Sequence, residues 1–194
     1  MQNTSSTTHK LVITAVLIAI SIVLSIPLNM GPLTALGFIT LGPAIAITIM
    51  HVPAIIGGIL EGPLVGLVVG GAFGVFSLFL ATQQPAGSPN AIFVDPIISV
   101  VPRLFIGPVA WLVYVGLKSL DMRLRLIAAA VAGTLTNTIL VIGAIALRLN
   151  VPFFATLASV ALNVVLELIV ASVIVVAVIS ALRGTASGRS GSTV

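Results

Sequence analysis

The sequence predicts an all-α integral membrane protein, a bundle of six transmembrane helices. Composition carries the first part of that prediction: of 194 residues, 59% are hydrophobic and only 6% charged, and the mean hydropathy is +1.31. Soluble domains carry about 25% charged residues, and twelve charged side chains cannot build a polar shell around a chain of this length. The second observation is arrangement. Apolar runs recur at about the 20-residue length needed to cross ~30 Å of hydrocarbon, and turn residues or charges separate them.

The first span runs from Lys10 to Pro27 and ends in turn chemistry at Asn29, Gly31 and Pro32. Its uncharged stretch, Leu11 to Met30, is too long for a signal-peptide core of about 7–15 residues, so it reads as a retained helix. The second span is expected from Gly37 to Leu60, stopping at Glu61, Gly62 and Pro63, and the third from Leu64 to Ala81. A polar, proline-rich loop follows, from Gln83 to Pro96. The fourth span covers Ile97 to Leu117 and is closed by Lys118, Asp121, Arg123 and Arg125. The fifth covers Leu126 to Leu147, ended by Arg148, Asn150 and Pro152, and the sixth runs from Phe154 to Leu182. The domain reading is a short tail over 1–9, a membrane domain over 10–183 and a disordered Gly/Ser/Arg tail over 184–194.

Six spans place both termini on one side. Lys10, Lys118, Arg123, Arg125, Arg183 and Arg189 then gather there, against Arg148 opposite and Arg103 within the fourth span. That asymmetry predicts cytoplasmic termini, with the loops after the first, third and fifth helices facing outward. The net charge of +4 is thus spread between apolar spans. It marks orientation in the cell membrane, not a phosphate-binding face, and nucleic-acid binding is not expected.

Small residues form two patterns. Gly58, Gly62, Gly66, Gly70 and Gly74 recur every four positions, a stripe that permits close helix approach, and internal packing is the expected use. Ala15 and Ala19 make a smaller notch on the first helix.

Polar groups inside a bilayer cost about 2.5–3.5 kcal/mol each when charged, so each present needs a reason. Arg103 lies near the outer end of the fourth span, Asn137 at the centre of the fifth, and Glu167 mid-way along the sixth with Asn163 one turn outward. His51 precedes Pro53 inside the second span, and Asp95 closes the outer loop just before the helix bearing Arg103. Together they describe a polar pocket open to the outside. Local readings stay open for each: Arg103 could pair with Asp95 or reach the headgroups, Glu167 could pair with Arg103 or be protonated, and the asparagines could bond between helices.

The chain has no P-loop, no HExxH, DxD-like or GxSxG site, no paired histidines at ligand spacing and no cysteine. No enzyme activity, metal or cofactor is therefore expected. A channel would carry a repeated pore-lining pattern, which is also missing. What remains is a small binding protein without a motor of its own.

Two stretches resemble a known family. One is His51 to Gly66, a His-x-Pro opening followed by Ile-Ile-Gly-Gly and Gly-Pro-x-x-Gly. The other is Asp95-Pro96 to Gly107, containing Val101-Pro102-Arg103 and Ile106-Gly107. With Ala15-x-x-x-Ala19, they are similar to the substrate-binding S component of energy-coupling factor (ECF) transporters, in the branch that includes pantothenate and cobalamin binders, over residues 10–183. The resemblance implies capture of a vitamin from outside and docking onto a transmembrane coupling protein with two ABC ATPases. The protein would then topple in the membrane to release its cargo inward. It also implies that Ala15 and Ala19 meet the coupling protein.

Arg103 offers a carboxylate or phosphate partner and the asparagines suit amides and hydroxyls, which favours pantothenate over cobalamin. Trp111 and Tyr114, the single Trp and Tyr, lie below the pocket level, which argues against an aromatic sandwich for riboflavin or thiamine. Two other classes stay open. One is a proton-coupled secondary transporter using Glu167 or His51; the other is a structural membrane protein with no ligand.

Overall fold

The computed structural model describes residues 3–30, 33–40, 46–85 and 87–189. Helix α1 (Asn3–Ser25) leads into four short strands, β1 (Pro27–Met30), β2 (Leu33–Ala35), β3 (Phe38–Thr40) and β4 (Ala46–Thr48). These pair antiparallel in chain order, with Leu33 opposite Ile39 and Ile39 opposite Ile47. Helices α2 (Val52–Glu61) and α3 (Pro63–Thr82) follow, then a 3-10 turn over Pro89–Val94. The remainder is α4 (Pro96–Ser99), α5 (Val101–Gly116), α6 (Met122–Leu149), α7 (Phe153–Ser159) and α8 (Ala161–Arg189).

Among the described residues, five segments are long and apolar enough to cross a membrane: Thr7–Ser25, Pro63–Thr82, Pro96–Gly116, Met122–Leu149 and Ala161–Arg183. The chain is a helical, multi-pass membrane protein. The expected second span, Gly37 to Leu60, is corrected: its first half is the β3–β4 hairpin, and helix begins only at Val52. The reason lies in the residues. Ile39, Thr40, Ile47 and Thr48 are β-branched, and Gly37 works against a continuous helix. Antiparallel pairing of β3 with β4, from Phe38 opposite Thr48 to Thr40 opposite Ala46, takes the place of the expected helical turns.

The sixth span is also divided, into α7 and α8 at Val160. Helix α8 continues to Arg189, and 190–194 lie outside the described residues.

The other boundaries follow from local chemistry. Asp95 caps α4 by accepting from the Ile97 N–H at 2.9 Å, and Asp121 caps α6 from the Arg123 N–H at 2.9 Å. Asn150 ends α6 in the left-handed region, φ 53°, a conformation asparagine tolerates, and Pro152 blocks continuation. Gly62, at φ 101°, turns α2 sharply into α3.

The glycine stripe is internal packing, as expected, at Gly58, Gly66, Gly70 and Gly74, while Gly62 meets nothing within 4 Å and serves the turn. A Cβ on Gly66 would stand 2.7 Å from the Gly107 Cα, and one on Gly74 2.8 Å from the Ser99 carbonyl oxygen. Backbone therefore meets backbone where α2 and α3 cross α5. Helix association in lipid depends on such packing, because burying apolar surface yields little there. Around this contact Ile55, Val69, Ile106, Ala110 and Leu126 form the dry core.

Candidate functional site

Helix α2 spans only ten residues, about 15 Å at the α-helical rise. His9 at the start of α1 meets Glu61 at the end of α2, Nδ1 to Oε1 at 3.5 Å. His51, at the opposite end of α2, consequently lies about 15 Å along the bundle from that contact. It is fully buried and its Nε2 bonds the Thr134 hydroxyl at 2.9 Å, while its Nδ1 has no partner among the described residues. Thr134, Asn137 and Thr138 share one face of α6 by their spacing of three and four. The Asn137 Oδ1 on that face is also buried without a described partner.

Glu167 on α8 is 6% exposed and accepts a hydrogen bond from the Thr48 N–H at 2.9 Å. This bond fastens β4 to α8 three residues before His51. Glu167 thus pairs with the hairpin and not with Arg103. Asn163, one turn along α8, is half-buried.

Arg103 is the most constrained group. It is 5% exposed. One of its terminal nitrogens donates to the Ile98 carbonyl, while its Nε is buried with no partner. The guanidinium sits over two rings, 4.8 Å from the Phe93 centroid and 5.5 Å from that of Phe73. Such stacking offsets part of the cost of burial. Among the described residues no carboxylate pairs with Arg103. The expected alternative partner, Asp95, is held instead by the Nε of Arg148 at the end of α6. The Asp95 carboxyl is held below its ordinary range first by the Ile97 N–H and then by Arg148. Asp95 therefore clamps the loop before α4 to the end of α6.

The structure links His51 to Thr134 and Glu167 to Thr48. Sequence reading missed Thr134, Thr48, Phe73 and Phe93. Thr134 lies one turn from Asn137, a signal that was present. Ala15 and Ala19 lie elsewhere: both are exposed on α1, whereas Leu17 between them faces the core.

Arg103 is thus a buried cation with an unused donor, set between two phenylalanine rings inside a helical membrane bundle. The chain belongs to the family of ECF transporter substrate-specific components, whose family model matches residues 9–182. It is 33% identical over 157 residues to the pantothenic acid transporter PanT of Lactococcus lactis subsp. cremoris (strain MG1363), an alignment covering 70% of this chain and 76% of that protein.

Proposed function

We propose that this protein captures pantothenate at the outer face of the cell membrane and delivers it to an ECF-type importer. The observation that carries the reading is Arg103, a buried guanidinium with an orphaned Nε and no acid beside it. Pantothenate supplies one carboxylate for that cation, and its amide and hydroxyls suit Asn137, Asn163, His51 and the Glu167–Thr48 edge. The similarity to a pantothenic acid transporter supports the same ligand.

In this reading the unit over 10–183 is a bundle of six crossings, the sixth made up by the sheet and α2 together. Both termini are cytoplasmic. Transport energy comes from a transmembrane coupling protein and two ABC ATPases, and the coupling protein docks where Ala15 and Ala19 leave α1 shallow.

Titration calorimetry of the purified protein tests the ligand. Pantothenate should bind and cobalamin should not. Arg103→Ala should weaken pantothenate by about 2–5 kcal/mol, the range for removing one partner of a buried charge pair. Parent-like affinity in that variant removes Arg103 from the site. Uptake that survives loss of the ATPases but collapses with an uncoupler would replace this mechanism with proton-coupled transport.

A further inference from the structure

A second charged cluster lies at the end of the bundle that carries both termini, far from Arg103. Tyr114, in the last turn of α5, is its centre. Arg125 of α6 donates to the Tyr114 carbonyl from Nε at 3.2 Å and from Nη2 at 3.1 Å, and its guanidinium stands 4.2 Å from the ring centroid. Arg183 of α8 donates from Nη2 to the Tyr114 hydroxyl at 2.9 Å, and its other terminal nitrogen meets only the Met122 sulfur, a weak acceptor. Two guanidiniums are thus fixed around one phenol. Neither has a carboxylate partner among the described residues, and no described group accepts from Nη1 of Arg125 or Nε of Arg183. Lys118 and Arg123 flank them, both exposed. The adjacent acid, Asp121, is already used to cap α6.

The plainer account is a staple joining three helices. It covers the bonds to Tyr114 but not the surplus of charge. Arg123 and Arg125 lie in the first turn of α6, the positive end of its dipole, where cations are disfavoured. Depth and surroundings point to what balances them. Trp111, one turn before Tyr114 on the end of α5, is half-buried, and a tryptophan near a helix end favours the headgroup level. Leu112, Leu120 and Leu124 around them are 62%, 45% and 54% exposed, an apolar surface beside the cations.

We infer that Arg125 and Arg183, organised by Tyr114 and flanked by Lys118, form a binding site for the phosphate headgroup of an anionic phospholipid. The lipid phosphate takes the open donors while its chains lie along the exposed leucines. The site is independent of the substrate pocket and of the proposed ligand.

Trp111 is the single tryptophan of the chain and so a local reporter. The protein is reconstituted in nanodiscs with either brominated phosphatidylglycerol or brominated phosphatidylcholine at equal fraction, and Trp111 quenching is compared. Quenching should favour phosphatidylglycerol. Arg183→Gln should lower that preference about five-fold, the value of one cation near a charged surface. Arg183→Lys should retain most of the preference, and Lys10→Gln, which removes a charge from α1 at the same end, should leave it unchanged. Substrate affinity, measured in parallel, certifies that each variant is folded, and Lys118→Gln replaces Arg183→Gln if the latter fails that check. Equal quenching by the two lipids in the parent overturns the inference, and is the outcome if the cations serve an acidic protein partner. So does an equal loss in Lys10→Gln, which would mean diffuse surface charge. Relief of the preference by millimolar inorganic phosphate, but not by equal chloride, supports a phosphate-selective cluster, whereas saturable phosphate binding with no lipid preference assigns the cluster to a free anion and removes the lipid.

Discussion

At the level of single residues, the polar groups within apolar runs were legible because lipid makes each of them costly. Arg103, His51, Asn137 and Glu167 stand out in the sequence for that reason, and the structure buries or half-buries all four. Their partners were not legible. Threonine and phenylalanine are unremarkable in a membrane helix, so nothing in one dimension singled out Thr134 or Phe93. Asp95 was the nearest acid to Arg103 along the chain, yet it pairs with Arg148, which is 53 positions distant. Glu167 yields a prediction that separates a hydrogen-bond role from a charge role. Its oxygen satisfies the Thr48 N–H, an acceptor that Glu167→Gln preserves and Glu167→Leu removes. Thermal unfolding should show Glu167→Leu destabilised by about 1–3 kcal/mol, the cost of an orphaned buried donor, and Glu167→Gln by less. The Asp95–Arg148 pair yields a second. Because the folded state holds the Asp95 carboxyl below 3.8, the pair contributes stability above that pH and loses it as pH falls further. Parent and Arg148→Gln should therefore differ in unfolding temperature at neutral pH and converge in strong acid.

Helices with one clear character were readable from periodic apolar length and from their end signals. The third, fourth and fifth spans match α3, the α4–α5 pair and α6 within a few residues. The segment before α2 misled because a 20-residue apolar window does not distinguish helix from a buried hairpin. β-branched and glycine content decided it, and hydropathy does not weigh that. Glycine positions make the packing testable. At Gly66 the obstacle to a side chain is the Gly107 backbone, whereas at Gly71 it is only the end of the Leu104 side chain, 3.0 Å from an added Cβ. Gly66→Leu should force α3 from α5 and cost at least the 1–3 kcal/mol typical of overpacking, and Gly71→Ala should be tolerated. Melting curves in detergent distinguish them. On α1 the same logic runs in reverse. Ala15 and Ala19 face away from the core, so Ala15→Trp has no internal neighbour to displace. We expect unchanged stability and ligand affinity together with lost co-purification of the coupling protein. A destabilised, non-binding variant would return the notch to internal packing.

For the whole molecule, the question is parity. Five full spans alone would place the termini on opposite faces of the membrane. The sixth crossing exists only if the sheet and α2 together traverse the bilayer, and α2 by itself covers about half of it. Two contacts argue that they do. The His9–Glu61 pair brings the end of α2 level with the start of α1, and the Gly37 N–H bonds the Leu24 carbonyl, at 2.7 Å, near the far end of α1. The hairpin and α2 thus begin at one end of α1 and finish at the other. Charge agrees, since Lys10, Lys118, Arg123, Arg125 and Arg183 then share the side of the termini while Arg148 and Asp95 neutralise each other opposite. The chain contains no cysteine, so single cysteines report without background. In intact cells a membrane-impermeant maleimide should label Gln84→Cys, in the loop after α3, and spare Arg189→Cys until the membrane is opened. Labelling of both from outside would mean that the hairpin and α2 return to the face they came from, leaving five crossings and displacing the cytoplasmic docking of any ATPase-driven partner.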